Sequence, residues 1–160
     1  MLGPLTLILD TGPLWELFLY SAVHNLRFRR LEPDLSYLKT ESSFKKLSDF
    51  VALAKARVTT PHVVSEISSR IIRTEQKGQA RFWKLVYEEF RSMGMDEELF
   101  KLLSMPQEPV ARLGAVDVSL VHLGATYSPS EALVLSIDNA LIKECNSAGI
   151  MAKHISEVIA

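Results

Sequence analysis

Four acidic residues, Asp10, Glu66, Asp117 and Asp138, stand in four separate segments of the chain. Asp10 ends an apolar run over residues 5–9, and Asp138 ends a second one over 133–137. Glu66 opens a helical segment after Thr59, Thr60 and Pro61, and Asp117 lies early in another, over 114–127, so both are expected to approach from helix starts. Carboxylates at the ends of buried strands have few packing reasons to be there. Three or four of them together suit a hard divalent cation such as Mg²⁺ or Mn²⁺, which prefers oxygen ligands and keeps several waters. The matching chemistry is phosphodiester hydrolysis, because the cation lowers the pKa of a water and offsets charge in the transition state. It also relieves the repulsion that would otherwise raise the pKa of crowded acids.

Each acid also has a plainer role. Asp10 and Asp138 precede helical segments, where Asp is a favoured N-cap. Glu66 and Arg70 form a favourable i, i+4 pair. Asp117 is harder to explain, since Ala115, Val116, Val118, Leu120 and Val121 surround it in a mostly apolar helix. A buried carboxylate is costly unless it is paired or bound to metal. The joint pattern carries the inference.

The elements that must position these residues alternate. Strands are expected at 5–9, 57–60, 133–137 and 150–152, and residues 96–105 read as strand or helix, with a short strand at 99–103 favoured. Helices are expected from Pro13, placed at a first helical position, to His24, and at 43–56, 61–73, 79–93, 114–127 and 139–147. Lys77-Gly78 breaks the chain. Residues 26–40, polar, basic and interrupted by Pro33, read as an irregular excursion. Alternation of this kind implies α/β architecture: a three-layer α/β/α sandwich around a short, mainly parallel sheet. In such sheets ligands collect beyond the carboxyl ends of the strands, where Asp10 and Asp138 would sit.

The 160 residues suit one domain, spanning 1–160, with a real core. An apolar fraction of 48% and a charged fraction of 23% are those of a globular protein. Lys plus Arg number 18 against 19 Asp plus Glu, a net charge of -1, so a nucleic acid would have to be held by a local basic patch. The single Cys145 excludes an intrachain disulfide and a cysteine-based zinc site, and a reducing cytoplasm is the expected compartment. The apolar N-terminus lacks a basic leader and is interrupted by Asp10, which argues against a signal peptide. No apolar stretch is long enough to span a bilayer.

The chain resembles the PIN-domain nucleases, including the VapC-type toxins of toxin–antitoxin pairs. The resemblance rests on Leu7-Ile8-Leu9-Asp10-Thr11, Thr60-Pro61-His62-Val63-Val64-Ser65-Glu66-Ile67, Gly114-Ala115-Val116-Asp117-Val118-Ser119-Leu120-Val121 and Val134-Leu135-Ser136-Ile137-Asp138-Asn139-Ala140-Leu141, in order and in context across nearly the whole chain. It implies a metal-dependent endoribonuclease that leaves a 5′-phosphate, with RNA as substrate, Mg²⁺ or Mn²⁺ as cofactor, an antitoxin protein as partner and a homodimer as assembly. It implies Asp10 and Asp117 as direct metal ligands, Glu66 and Asp138 acting partly through water, and Thr11 and Ser136 as hydroxyls that orient ligands. Ser136 stands where the family more often has Thr, and Asn139 supplies no fifth acid. The stretch between Asp10 and Glu66 is longer than in a compact member, by about residues 26–40, which bears on partner and substrate.

Two basic clusters are present: Arg27, Arg29 and Arg30, and Arg70, Arg73, Lys77, Arg81 and Lys84. Arg70 and Arg73 follow Glu66 on its helix by one and two turns and can guide a phosphate backbone to the acids; the alternative is a solvated face of local ion pairs. Arg27 to Arg30 reads as plain surface. His24, His62, His122 and His154 have no metal-ligand spacing, although His62 can border the site from one turn before Glu66. Cys145 reads as a small buried residue. Trp15, Phe18, Trp83 and Phe90 fill core or a dimer contact. Two further functions compete: a PIN-like RNA- or protein-binding module with little activity, and an aspartyl-phosphate phosphotransfer enzyme. Against the last, Asp10-Thr11-Gly12 lacks a second acid two residues on, and no lysine follows a late strand at the expected point.

Overall fold

The structure, a computed structural model, describes residues 5–74, 77–98 and 113–160. Its centre is a five-stranded, all-parallel sheet built from β1 (Thr6–Leu9), β2 (Ala56–Thr59), β3 (Met95–Glu97), β4 (Ala132–Ser136) and β5 (Ala152–His154), in the order β3-β2-β1-β4-β5. Central parallel strands are covered on both faces and so read as continuous apolar runs. Every residue of β1 and β4 is buried, whereas edge strand β3 is largely exposed. The expected strand at 99–103 lies outside the described residues; the strand observed in that connection is β3.

The helices are α1 (Thr11–Asn25), α2 (Glu41–Ala52), α3 (Pro61–Thr74), α4 (Gln79–Met93), α5 (Ala115–Gly124), α6 (Asn139–Ser147) and the short α7 (Ile155–Ile159), with a 3₁₀ turn at Arg29–Asp34. Right-handed crossovers send the helices of the β1-to-β3 half to one face and α5 and α6 to the other, while the terminal α7 packs back on α2. Accordingly α1 packs on α2, α3 and α4, while α5 packs on α6 and against β1 and β4. This is the three-layer α/β/α sandwich expected. Among the described residues no helix is long and apolar enough to cross a membrane.

Helix α1 is the keystone of its layer. From Thr11 to Val23 every residue is buried, which is why it is apolar on all sides and not amphipathic. Trp15 and Phe18 meet Phe82 and Phe90 of α4 at ring-centroid distances of 5.6 and 5.0 Å. Trp15 and Phe18, expected to fill core or a dimer contact, are therefore consumed by the chain's own core. Pro13 occupies the third helical position, since Thr11 and Gly12 already belong to the helix; its missing N–H still falls in the first turn, where no intrahelical partner exists. Glu66 sits well inside α3, not at its start.

The excursion at 26–40 is ordered. Helix α1 ends on Arg27 in the left-handed region (φ 59°), and the N–H groups of Leu26 and Phe28 both reach the Ala22 carbonyl, at 3.1 and 3.2 Å. The chain then runs back along α1, burying Leu31, Leu35 and Leu38. Glu16, only 3% exposed, holds its far end by accepting the N–H groups of Ser36, Tyr37 and Leu38, each at 2.9 Å.

Candidate active site

The strand order fixes where the site forms. From β1 the chain adds β2 and β3 on one side, then returns to place β4 on the other, so the sheet switches direction between β1 and β4. Crevices at such a switch point, beyond the carboxyl ends of the strands, are where open α/β sheets place ligands. Asp10 directly follows β1 and Asp138 closely follows β4. The register Leu9↔Leu135 sets them side by side, and the Asp10 N–H donates to the Leu135 carbonyl at 3.1 Å.

A continuous hydrogen-bonded chain crosses the site. The Asp138 N–H donates to Ser136 Oγ at 2.9 Å, and Ser136 Oγ–H donates to Asp10 Oδ2 at 2.6 Å. Asp10 Oδ1 accepts the Thr11 N–H at 2.6 Å. The Thr11 hydroxyl donates to Glu66 Oε2 at 2.9 Å, and Arg70 Nη2 donates to Glu66 Oε1 at 2.9 Å. The two expected hydroxyls thus bridge three of the four acids. The plainer roles hold as well. Asp10 and Asp138 are N-caps, the latter accepting from Ala140 and Leu141 N–H at 2.7 and 3.3 Å. Glu66 and Arg70 form the i, i+4 ion pair. Capping and pairing hold these carboxylates still, and each oxygen keeps acceptor capacity beyond the bonds it makes.

Asp117 approaches from the first turn of α5 and accepts no hydrogen bond from a described residue. Its helix is tied down by Ser119, whose hydroxyl pairs with Thr60 Oγ at 2.9 Å at the end of β2. Thr59 makes a similar tie to the Leu9 carbonyl at 2.8 Å. Gly12 lets α1 close on the β4–α6 turn, since a Cβ there would collide with the Ile137 side chain.

The four acids feel one another. Burial raises the pKa of Asp10, with Glu66 and Asp138 adding to it, against hydrogen bonds from Ser136 and Thr11 that lower it. Burial first, then the charges of Asp10, Asp138 and Glu66, push Asp117 up to about 7. A half-buried carboxylate facing three others, and unpaired among the described residues, is the point where a bound cation would relieve most strain. The donor set, all oxygen, fits a hard divalent ion. Among the described residues, no three His, Cys, Asp or Glu side chains already converge on a single metal position.

Arg70 lies at the border of the site, with its guanidinium 5.9 Å from the Trp15 ring centroid. Arg73 is exposed, donates to the Ser69 carbonyl at 3.2 Å, and with Arg70, Trp15 and Asp34 lines a hollow of about 310 Å³. Nδ1 of His62 is buried and has no hydrogen-bond partner among the described residues. Cys145 is fully buried and burial pushes its thiol up to about 12, so it is inert. Four positioning residues were not anticipated: Glu16, Thr59, Thr60 and Ser119. Glu16 carried a signal, being the one charge in the apolar stretch 14–23; the hydroxyls carried none, because their partners are 50 or more residues away. No protein-family model matches the chain, and no curated protein matches it.

Proposed function

We propose that this chain is a metal-dependent endoribonuclease of the PIN-domain type, acting on RNA as the toxin of a toxin–antitoxin pair or as a free-standing processing enzyme. The observation that carries the reading is the hydrogen-bonded chain through Asp138, Ser136, Asp10, Thr11 and Glu66 at the switch point of a parallel sheet, beside Asp117, which burial first and then the charges of the other three acids push up to about 7. Asp10 and Asp117 would hold a Mg²⁺ or Mn²⁺ ion, with Glu66 and Asp138 completing the acidic rim. Bound there, the ion would activate a water and neutralise charge on the scissile phosphate. Ser136 and Thr11 keep the Asp10 and Glu66 carboxylates oriented through the hydrogen bonds described. Arg70, at the rim, offers a guanidinium to a phosphate oxygen.

The test is cleavage of a varied RNA panel with Mg²⁺ or Mn²⁺ by wild type, Asp10→Ala and Asp117→Ala. Metal-dependent cleavage that is lost in both variants supports the reading. Equal cleavage by all three would mean a contaminant or a wrong site. A second reading, a PIN-like binding module with little activity, is favoured by one observation: Asp10, Glu66 and Asp138 already have partners, and no three acids converge among the described residues. Mn²⁺ titration by calorimetry separates the two, because a pure binding module has no need to bind the ion.

A further inference from the structure

His154 reaches the acidic chain from β5. It is the last residue of that strand and lies in register with Ser136, the last residue of β4. Strand pairing stops at this pair, and the next carbonyl, that of Ile137, is met by the His154 ring, with Nε2 at 3.1 Å. The other ring nitrogen, Nδ1, lies 3.1 Å from the Ser156 backbone nitrogen and 2.7 Å from Ser156 Oγ. A backbone N–H can only donate, so Nδ1 carries the lone pair and the proton of the neutral ring sits on Nε2. A carbonyl can only accept, which agrees with that tautomer. Tyr37 packs edge-on against the ring at 5.4 Å, and its own N–H is held by Glu16.

The Ile137 carbonyl and the Asp138 N–H belong to one planar peptide group. Its oxygen accepts from His154 Nε2–H, and its N–H donates to Ser136 Oγ at 2.9 Å. The Ser136 O–H then donates to Asp10 Oδ2 at 2.6 Å. Every donor in this series points toward the Asp10 carboxylate, and bonds in series polarise one another. The Ile137 side chain closes on Gly12 at the start of α1. A rotation of this one peptide would therefore release Ser136 and shift Asp138 together. At Asp10 burial acts most strongly, raising the pKa, and the Ser136 bond is the largest influence opposing it.

Resting on the ribonuclease reading, we propose that His154 is a positioning residue of the acidic site, aiming Ser136 at Asp10 and fixing Asp138 by holding the peptide between Ile137 and Asp138. It acts through that peptide and touches neither ion nor substrate. The competing role is helix capping alone, since the same ring caps α7 and the His154 N–H donates to Glu157 Oε1 at 2.9 Å. Two substitutions divide the roles. Asn puts an amide oxygen near the place of Nδ1 and is a favoured N-cap, so His154→Asn keeps the cap and releases the peptide. Gln puts an amide N–H near the place of Nε2, so His154→Gln holds the peptide and gives up the cap.

The experiment measures Tm, hydrogen exchange of the Asp138 amide in EDTA, and Mn²⁺ affinity by calorimetry, for wild type and both variants. His154→Asn is expected to keep the wild-type Tm, to exchange the Asp138 amide about fivefold faster and to bind Mn²⁺ about tenfold more weakly. His154→Gln is expected to lower Tm while exchange and affinity stay within about twofold of wild type. Changes in exchange and affinity that track Tm, larger for Gln than for Asn, overturn the proposal and leave only a cap. Wild-type exchange in His154→Asn overturns it too, as does faster exchange with undiminished Mn²⁺ affinity. Wild type that binds no Mn²⁺ removes the ribonuclease reading, and exchange alone then decides: faster exchange in Asn than in Gln upholds the positioning role, and equal rates overturn it.

Discussion

Asp117 holds the least compensated charge of the site. Its folded value is pushed up to about 7 from an ordinary 3.8. Between those values the native state binds more protons than the unfolded chain, so stability falls as pH rises across the interval and the full cost is present above pH 7. Asp117→Asn keeps the shape and removes the titration. In metal-free protein it should therefore raise stability at pH 8, by roughly 1–3 kcal/mol after allowance for solvent screening, and the gain should vanish near pH 4. Urea unfolding of both proteins at the two pH values reads this directly; a gain independent of pH would remove the electrostatic account. Glu16 is a buried carboxylate whose two oxygens are both used. Glu16→Gln leaves one acceptor oxygen where two served three N–H groups, and should cost about 2–3 kcal/mol. A wild-type urea midpoint in that variant would mean that Leu31, Leu35 and Leu38 alone secure the excursion.

Among the elements, the N-terminus of α1 is the least tolerant. It must pass close to the β4–α6 turn so that Asp10, Ser136 and Asp138 share one hydrogen-bonded chain, and only Gly12 leaves room beside Ile137. Gly12→Ala would ordinarily favour a helix; here overpacking should destabilise by about 1–3 kcal/mol and lower metal affinity. Pairing it with Ile137→Val should recover part of the Tm. If Gly12→Ala alone is neutral in Tm, the close approach is not a constraint. Gly124, whose Cβ would approach Ile150 Cγ2 at 2.7 Å, plays the corresponding part for α5.

For the whole molecule, folding brings like charges near one another, of which only Glu66 is ion-paired among the described residues, by Arg70, and ligand binding should return the cost. Mn²⁺ bound only by the native state stabilises it by about 2.7 kcal/mol at a hundred times its Kd. The Tm rise on adding Mn²⁺ should be larger at pH 8 than at pH 5, because the ion must displace the Asp117 proton. Asp10→Ala and Asp117→Ala should abolish the rise. A Tm increase of equal size in wild type and both variants would place the ion elsewhere.

Much of this protein is legible along its chain. The alternation of apolar runs with helical spacing set the α/β class, because a strand buried on both faces must be apolar throughout, as β1 and β4 are. Helices 79–93 and 139–147 match α4 and α6 to the residue, since Gly94 takes the left-handed conformation that closes a helix and Asp138 is a strong N-cap. The acids were legible as a set because carboxylates at strand ends are rare for packing reasons. What the chain order could not decide was adjacency. The short α7, capped by the His154 side chain, the 3₁₀ turn inside the excursion, and the burial of α1 on all sides depend on neighbours distant in sequence. So does the bond between Ser136 and Asp10, 126 positions apart. Local pattern records which face of a segment avoids water; which other segment covers that face, and which charges it brings within reach, is settled only when the sheet closes its order around β1.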